Sequence, residues 1–298
     1  MTDSLPQFHG IIAYPVTPFD ASGAVDEAAL RRLIDRLIGD GAHAIAPLGS
    51  TGESAYLSDD EWQRVAAISI EQVRKRVPVI VGVSDLTTEG AAARARFADQ
   101  RGGDAVMLLP VSYWKLSEAE IHAHVKAVAH ATRTPVMLYN NPATSGVDMS
   151  PESIVRMVNA IDNVTMVKES SGDIQRMHRI AQLSEHRIPF YNGCNPLALE
   201  AFVAGATGWC TAAANLIPAQ VLELYRAVRA GDIGAAQRSF YRQLPVLQFI
   251  LKGGLPTTVK AGLALRGFDA GAPRLPLVAA STEARAELSR LLDDALAS

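Results

Sequence analysis

The sequence is poor in the residues that mark several common protein classes. It has only two cysteines, Cys194 and Cys210, in 298 residues. Two widely spaced thiols exclude a disulfide framework and a zinc site built on cysteine. Lysine and arginine number 28 against 31 aspartates and glutamates, for a net charge of -3. No basic stripe interleaved with aromatics is present, so neither nucleic acid nor an acidic membrane surface is an expected partner. No apolar run approaches the length of a membrane-spanning helix. The opening MTDSLPQFHG lacks a basic segment followed by an apolar one. No signal peptide is therefore visible, and the expected setting is the cytoplasm. Metal-ligand clusters are missing too: His122, His124 and His130 fall on one predicted helix, and His43 and His178 are isolated. GATG at 205–208 lacks the third glycine of a dinucleotide fingerprint. Cys194 follows a strand end but has no histidine in a matching motif, so a thiol nucleophile is not expected. No metal and no cofactor are expected.

What is present is an alternation. Short runs rich in Val, Ile and aromatics, apolar on both faces, recur at 10–19, 44–49, 78–83, 105–110, 135–140, 164–169, 188–193 and 208–213. Such runs suit parallel strands covered on both sides. Amphipathic patterns separate them. VDEAALRRLIDRLIGDG places Leu30, Leu33, Ile34, Leu37 and Ile38 on one face and stops at Gly39–Gly41. A second helix opens at Ser58, an N-cap followed by acidic residues. Others are predicted over 87–101, 117–131, 150–160, 173–184 and 195–204, with more helix at 218–230, 232–250, 255–266 and 282–296. Eight strand–helix units predict an α/β fold, a (β/α)8 TIM barrel over residues 1–222, with a C-terminal helical extension over 223–298 belonging to the same unit.

In such a barrel the chemistry sits where strands end. VTMVKESSGD at 164–173 puts Lys168 there, at the end of an apolar, β-branched run. One reading is a structural ion pair, for instance with Glu169. The other is an amine nucleophile, because desolvation disfavours an ammonium and the free amine attacks a ketone. The resulting protonated Schiff base is an electron sink through which a neighbouring carbon can lose or gain a C–C bond. Tyr139, ending the preceding strand, is either a core aromatic or a proton shuttle. GSTGES at 49–54 is either a plain turn or a cradle of N–H groups and hydroxyls for a carboxylate.

Taken together, GSTGES, YNNPATSG at 139–146, VKESSGD, the opening PVTPF and the late NG and GATGW segments resemble the dihydrodipicolinate synthase / N-acetylneuraminate lyase family, the pyruvate-type class I aldolases. The resemblance covers essentially the whole chain. It implies a homotetramer, a dimer of dimers, with Schiff-base chemistry and no metal. By position it implies Lys168 as the Schiff-base lysine and Tyr139 as the proton-relaying phenol. Ser50 and Thr51 would hold the substrate carboxylate, with Thr51 joining the relay. Gly193 and the backbone of Cys210 would lie near the Schiff-base pocket, and Tyr113 is the nearest candidate for a relay tyrosine supplied by a neighbouring subunit. Three positions depart from the family. Thr144 stands where synthase members carry an arginine, and a threonine cannot supply a bidentate cation. Asn195 and Pro196 stand where sialic acid lyases carry an acidic pair. The second-substrate pocket is therefore expected to be neutral, lined by Trp114, Trp209, Asn141, Thr144 and Asn195.

The function expected is a Schiff-base-forming lyase or aldolase acting on pyruvate or another 2-keto acid. Aldol addition, retro-aldol cleavage and dehydration share one enamine, so the second substrate stays open. One alternative is 4-hydroxy-tetrahydrodipicolinate synthase, condensing pyruvate with aspartate semialdehyde. An alternative of another class is a non-catalytic barrel that binds a keto acid.

Overall fold

The computed structural model describes residues 8–297. Eight parallel strands form one sheet in the order β2-β1-β8-β7-β6-β5-β4-β3. They are β1 (Gly10–Ala13), β2 (Ala44–Ile45), β3 (Ile80–Gly82), β4 (Ala105–Leu108), β5 (Val136–Asn140), β6 (Val164–Glu169), β7 (Phe190–Asn192) and β8 (Gly208–Thr211). A parallel bridge between Ile45 and Val79 joins the two ends of that order, so the sheet closes into the expected barrel.

A helix follows each strand: α1 (Glu27–Gly39), α2 (Asp59–Val73), α3 (Thr88–Gln100), α4 (Glu118–His130), α6 (Pro151–Ala160), α7 (Ile174–Leu183), α8 (Ala198–Val203) and α9 (Pro218–Arg229). A four-residue helix, α5 (Pro142–Ser145), precedes α6. Three more close the chain: α10 (Ile233–Gly253), α11 (Leu255–Leu265) and α12 (Thr282–Leu296). The expected boundary at 222–223 falls inside α9. None of the helices among the described residues is long and apolar enough to cross a membrane.

The helix starts obey local chemistry. Ser58 and Ser117 each accept a hydrogen bond from the third residue of their helix, Glu61 and Glu120, whose carboxylates bond back to the serine N–H. These reciprocal capping boxes satisfy backbone donors that a helix start leaves open. In α1, Leu30, Leu33, Ile34 and Leu37 are buried at the spacing the sequence predicted, with Ala29 beside them.

Period-2 alternation along the strands sorts side chains into two layers. One set fills the barrel: Ile12, Tyr14, Ala44, Ala46, Ile80, Ala105, Met107, Met137, Tyr139, Met166, Tyr191 and Cys210, with Phe8. The alternate set, including Ile11, Val81, Val106, Leu138, Val167 and Trp209, packs with the helices. Trp209 is therefore a core residue between sheet and helices. Its expected place in a substrate pocket is corrected, because Cys210 takes the inward face of β8 and its neighbour must point outward. Val246, Leu247, Ile250, Val259, Leu263, Leu288 and Leu292 of the last helices belong to that same outer core.

Candidate active site

Lys168 and Glu169 are consecutive on β6, so their side chains leave opposite faces. Glu169 is fully buried and turns away from the lysine. Its carboxylate accepts from Asn140 Nδ2 at 3.1 Å and from the Ser171 N–H at 2.6 Å, and Arg176 Nε lies 3.5 Å away. Arg176 also reaches Asp148 at 2.8 Å and bonds the Met149 carbonyl. The charge next to Lys168 is thus fully engaged elsewhere, which removes Glu169 as an ion-pair partner of Lys168.

Lys168 itself is 5% exposed and lies in register with Tyr139 on β5 and Tyr191 on β7. Its Nζ sits 3.8 Å from the centre of the Tyr139 ring and 4.1 Å from that of Tyr14. Met107 Sδ, at 3.9 Å, is its hydrogen-bond acceptor. Two aromatic faces and a thioether surround the amine, and no carboxylate pairs with it among the described residues. Tyr139 is 4% exposed, and its hydroxyl accepts from Asn141 Nδ2 at 2.8 Å. The phenol proton is left available for a second partner.

Tyr14 was not among the residues singled out from the sequence. Its hydroxyl donates to Met107 Sδ at 3.0 Å. Burial raises its pKa well above the ordinary phenol range, with Cys210 and Tyr139 adding to the effect. Cys210 lies buried beside it, and burial raises the thiol pKa too, against the opposing pull of Lys168. Both groups stay neutral around neutral pH.

Gly193 earns its place sterically. A Cβ there would overlap Ser170 Oγ and come within 2.7 Å of Lys168 Cε. Its N–H donates to the Glu169 carbonyl at 2.9 Å, which holds β7 close against the lysine. The Ser170 hydroxyl beside it is shut from solvent and has no hydrogen-bond partner among the described residues. Ser170 too was passed over in the sequence.

The GSTGES loop is a turn of 3-10 helix, Ser50–Gly52, ending at Glu53 with φ of 56°. Thr51 is 2% exposed, while Ser50 is half-buried. A Cβ on Gly49 would come within 2.8 Å of the Tyr14 ring, so the loop and the ring that covers Lys168 touch. Glu53 anchors the loop from below. Its carboxylate lies 2.7 Å from Lys260 Nζ on α11 and accepts from the Arg274 N–H at 2.6 Å. Burial lowers the Lys260 pKa, and the bond to Glu53 works against that. Arg274 also pairs with Glu61 at the start of α2. Phe19 lies under both cations, its ring centre 4.0 Å from Lys260 Nζ and 4.3 Å from the Arg274 guanidinium. Capping periodicity gives no signal for Glu53, Lys260 or Arg274, because their partners are far off in sequence.

The other expected site residues are placed as follows. Thr144 is exposed on α5, its hydroxyl 3.4 Å from the Asn141 carbonyl. Asn195 is buried, and its Oδ1 accepts from Trp209 Nε1 at 3.1 Å and Thr211 Oγ1 at 2.8 Å. That end of the amide is committed to the β8 scaffold. Tyr113 and Trp114, in the loop after β4, are 98% and 78% exposed, and no hydrogen bond ties the Tyr113 hydroxyl within this chain among the described residues. His43 accepts from the Ile11 N–H at 3.1 Å, and His124 shares a hydrogen with Thr88. No group of three or more metal-ligating side chains occurs among the described residues.

Comparison with known proteins adds a family. The model of the dihydrodipicolinate synthetase family matches residues 7–295. The 4-hydroxy-tetrahydrodipicolinate synthase 2 of Halalkalibacterium halodurans is 35% identical over 286 residues, covering 96% of this chain and 98% of that one. The 4-hydroxy-tetrahydrodipicolinate synthase of Bacillus subtilis is 32% identical, covering 96% and 99%. Among solved structures, a Pseudomonas aeruginosa protein provisionally described as a dihydrodipicolinate synthetase is 61% identical, with a TM-score of 0.95 over 97% of this chain and 99% of that one. An Escherichia coli K12 prophage protein of the same family, solved in complex with pyruvate, is 26% identical with a TM-score of 0.91, covering 97% and 98%.

Proposed function

The chain belongs to the dihydrodipicolinate synthetase family, and from that premise we propose that it is a Schiff-base-forming lyase or aldolase acting on pyruvate or a related 2-keto acid. The observation that carries this is the environment of Lys168: a buried amine between two aromatic rings at 3.8 and 4.1 Å, with no carboxylate paired to it among the described residues. A structural lysine would be paired. In the proposed reaction Nζ attacks the C2 carbonyl, water leaves, and the protonated imine draws electrons from C3. Loss of a C3 proton, or of the C3–C4 bond, gives the enamine.

Tyr139 moves the proton. Asn141 occupies one lone pair of its hydroxyl and leaves the O–H to donate to the departing oxygen. Ser50 and Thr51 hold the carboxylate with hydroxyls and the leading N–H groups of their turn, and Thr51 extends the relay. The backbone of Gly193 and Cys210 bounds the pocket, and the Ser170 hydroxyl, without a hydrogen-bond partner among the described residues, is available for a substrate oxygen. The relatives' names favour pyruvate and an aldehyde giving 4-hydroxy-tetrahydrodipicolinate as a second reading. Thr144 weighs against it, since its loop offers no cation for a second carboxylate. A merely keto-acid-binding barrel has no need of an unpaired buried amine. We further propose a cytoplasmic homotetramer in which Tyr113 serves a neighbouring subunit's site.

Borohydride reduction in the presence of pyruvate is expected to add one pyruvate-derived group to Lys168, read by peptide mass spectrometry. No adduct, or an adduct on another lysine, rejects the reading. Comparing turnover of pyruvate plus aspartate semialdehyde with that of sugar-derived keto-deoxy acids separates the two substrate classes.

A further inference from the structure

Imine formation changes what the lysine nitrogen needs from its surroundings. Counted overall from the ammonium, Nζ gives up a proton, joins the carbonyl carbon as the free amine, and two of the original three protons leave with the carbonyl oxygen as water. The positive charge stays, now shared with carbon in a flat C=N unit that has one N–H. An ammonium has three donors to satisfy. Among the described residues, the slot around Nζ offers it one thioether sulfur at 3.9 Å and two ring faces. That supply is poor for the ammonium and adequate for the iminium, whose single N–H needs one acceptor and whose planar cation lies well against aromatic faces. A site complementary to the later species lowers the barrier leading to it.

We propose, resting on the Schiff-base reading of Lys168, that Tyr14 is a catalytic residue that forms with Tyr139 an aromatic clamp selecting the iminium over the ammonium. The two rings have different duties. Tyr139 presents its hydroxyl to Asn141 and the reacting groups. Tyr14 has its hydroxyl tied to Met107 Sδ, its N–H to the Thr211 carbonyl at 3.1 Å, and its carbonyl to Asn215 Nδ2 at 2.8 Å. It is a fixed, neutral face. Gly49 approaches that ring closely enough to exclude a Cβ, so the clamp also sets the distance from the carboxylate loop to the amine.

Ring electron density tests this without changing ring shape. Tyr14→Phe serves as the reference, and phenylalanines carrying progressively more ring fluorine replace it in turn. The affinity of imine formation is read from borohydride trapping of Lys168 across a pyruvate titration. Stepwise weakening with fluorination is expected, reaching about tenfold for the fully fluorinated ring. Inhibition by lactate, which forms no imine, is expected to stay constant across the series. A flat trapping series, or lactate affinity falling in parallel, overturns the clamp while Lys168 still captures pyruvate. Failure of the unaltered protein to trap pyruvate on Lys168 instead overturns the Schiff-base reading beneath it.

Discussion

At the residue scale the site depends on what neighbours leave open. Gly193 is the clearest case, since its φ carries no strain and the requirement is space alone. Gly193→Ala forces Ser170 to rotate and then meets Lys168 Cε at 2.7 Å. The lysine must move, and misplacement of a reacting atom by about 1 Å costs on the order of 100-fold in rate. Pyruvate trapping on Lys168 is expected to fall by that order, while the unfolding temperature moves by only a few degrees. An unchanged trapping rate would show that the lysine reacts from another position. That Lys168 and Tyr139 come together was legible in the sequence, because a lysine and a tyrosine at the ends of adjacent apolar runs are conspicuous. Tyr14 was not, since nothing distinguishes an inward aromatic beside a buried amine from one in a core. Trp209 was misplaced for the converse reason: its pleat parity depends on the register of β8 against β1, where Ile11 opposes it.

At the element scale the turn bearing Ser50 and Thr51 is held by distant parts of the chain. Glu53 and Arg274 are 221 residues apart and meet at 2.6 Å. The Glu53–Lys260 pair is almost wholly buried, with side chains 0% and 2% exposed. Removing one partner of such a pair leaves an uncompensated charge and costs about 3–5 kcal/mol, whereas replacing both costs far less. Denaturant unfolding is therefore expected to show Glu53→Gln and Lys260→Met each strongly destabilising and the double variant partly restored. Because Glu53 fixes the turn bearing Ser50 and Thr51, each single variant should also raise KM for the keto acid more than it lowers kcat. Additive destabilisation in the double variant would mean the pair is not coupled.

The same region predicts an acid response. Glu61 caps α2 and pairs with Arg274, and its bond to that guanidinium is the chief reason its pKa falls from 4.5 to about 2. A carboxyl with a lowered folded pKa stabilises the fold above its unfolded value and loses that contribution as it protonates. Stability from this group is full above pH 4.5 and drains away as the pH falls towards 2. Glu61→Gln should flatten the acid limb of the stability profile in that window, measured by denaturant midpoints at stepped pH. An identical limb in the variant would assign acid sensitivity elsewhere. The eight strands and their helices were readable because each is locally consistent in pattern and caps. The four-residue α5 was not, being too short for any period to show.

At the scale of the whole molecule, the loop after β4 stands out. Tyr113 and Trp114 expose 98% and 78% of their surfaces, unusual for large aromatic side chains. If Tyr113 completes a neighbour's relay, a Lys168→Ala subunit supplies an intact Tyr113 to a Tyr113→Phe subunit that retains Lys168. Mixing the two inactive variants and allowing subunit exchange is expected to restore activity, with hybrids verified by native mass spectrometry. Verified hybrids that remain inactive would leave Tyr113 without that role.

The sequence by itself determined the barrel, its strand ends and the family, and it singled out Lys168 and Tyr139, because all are written in local runs and short motifs. The tertiary structure alone decided that Glu169 belongs to Arg176 and Asn140 rather than to Lys168, that Asn195 braces Trp209, and that Tyr14 covers the amine. It also decided that Lys260 of α11 and Arg274 after it hold the turn bearing Ser50 and Thr51 through Glu53. Those are choices of face and of long-range partner. They are fixed by sheet register and barrel closure, which bring together residues that no local pattern relates.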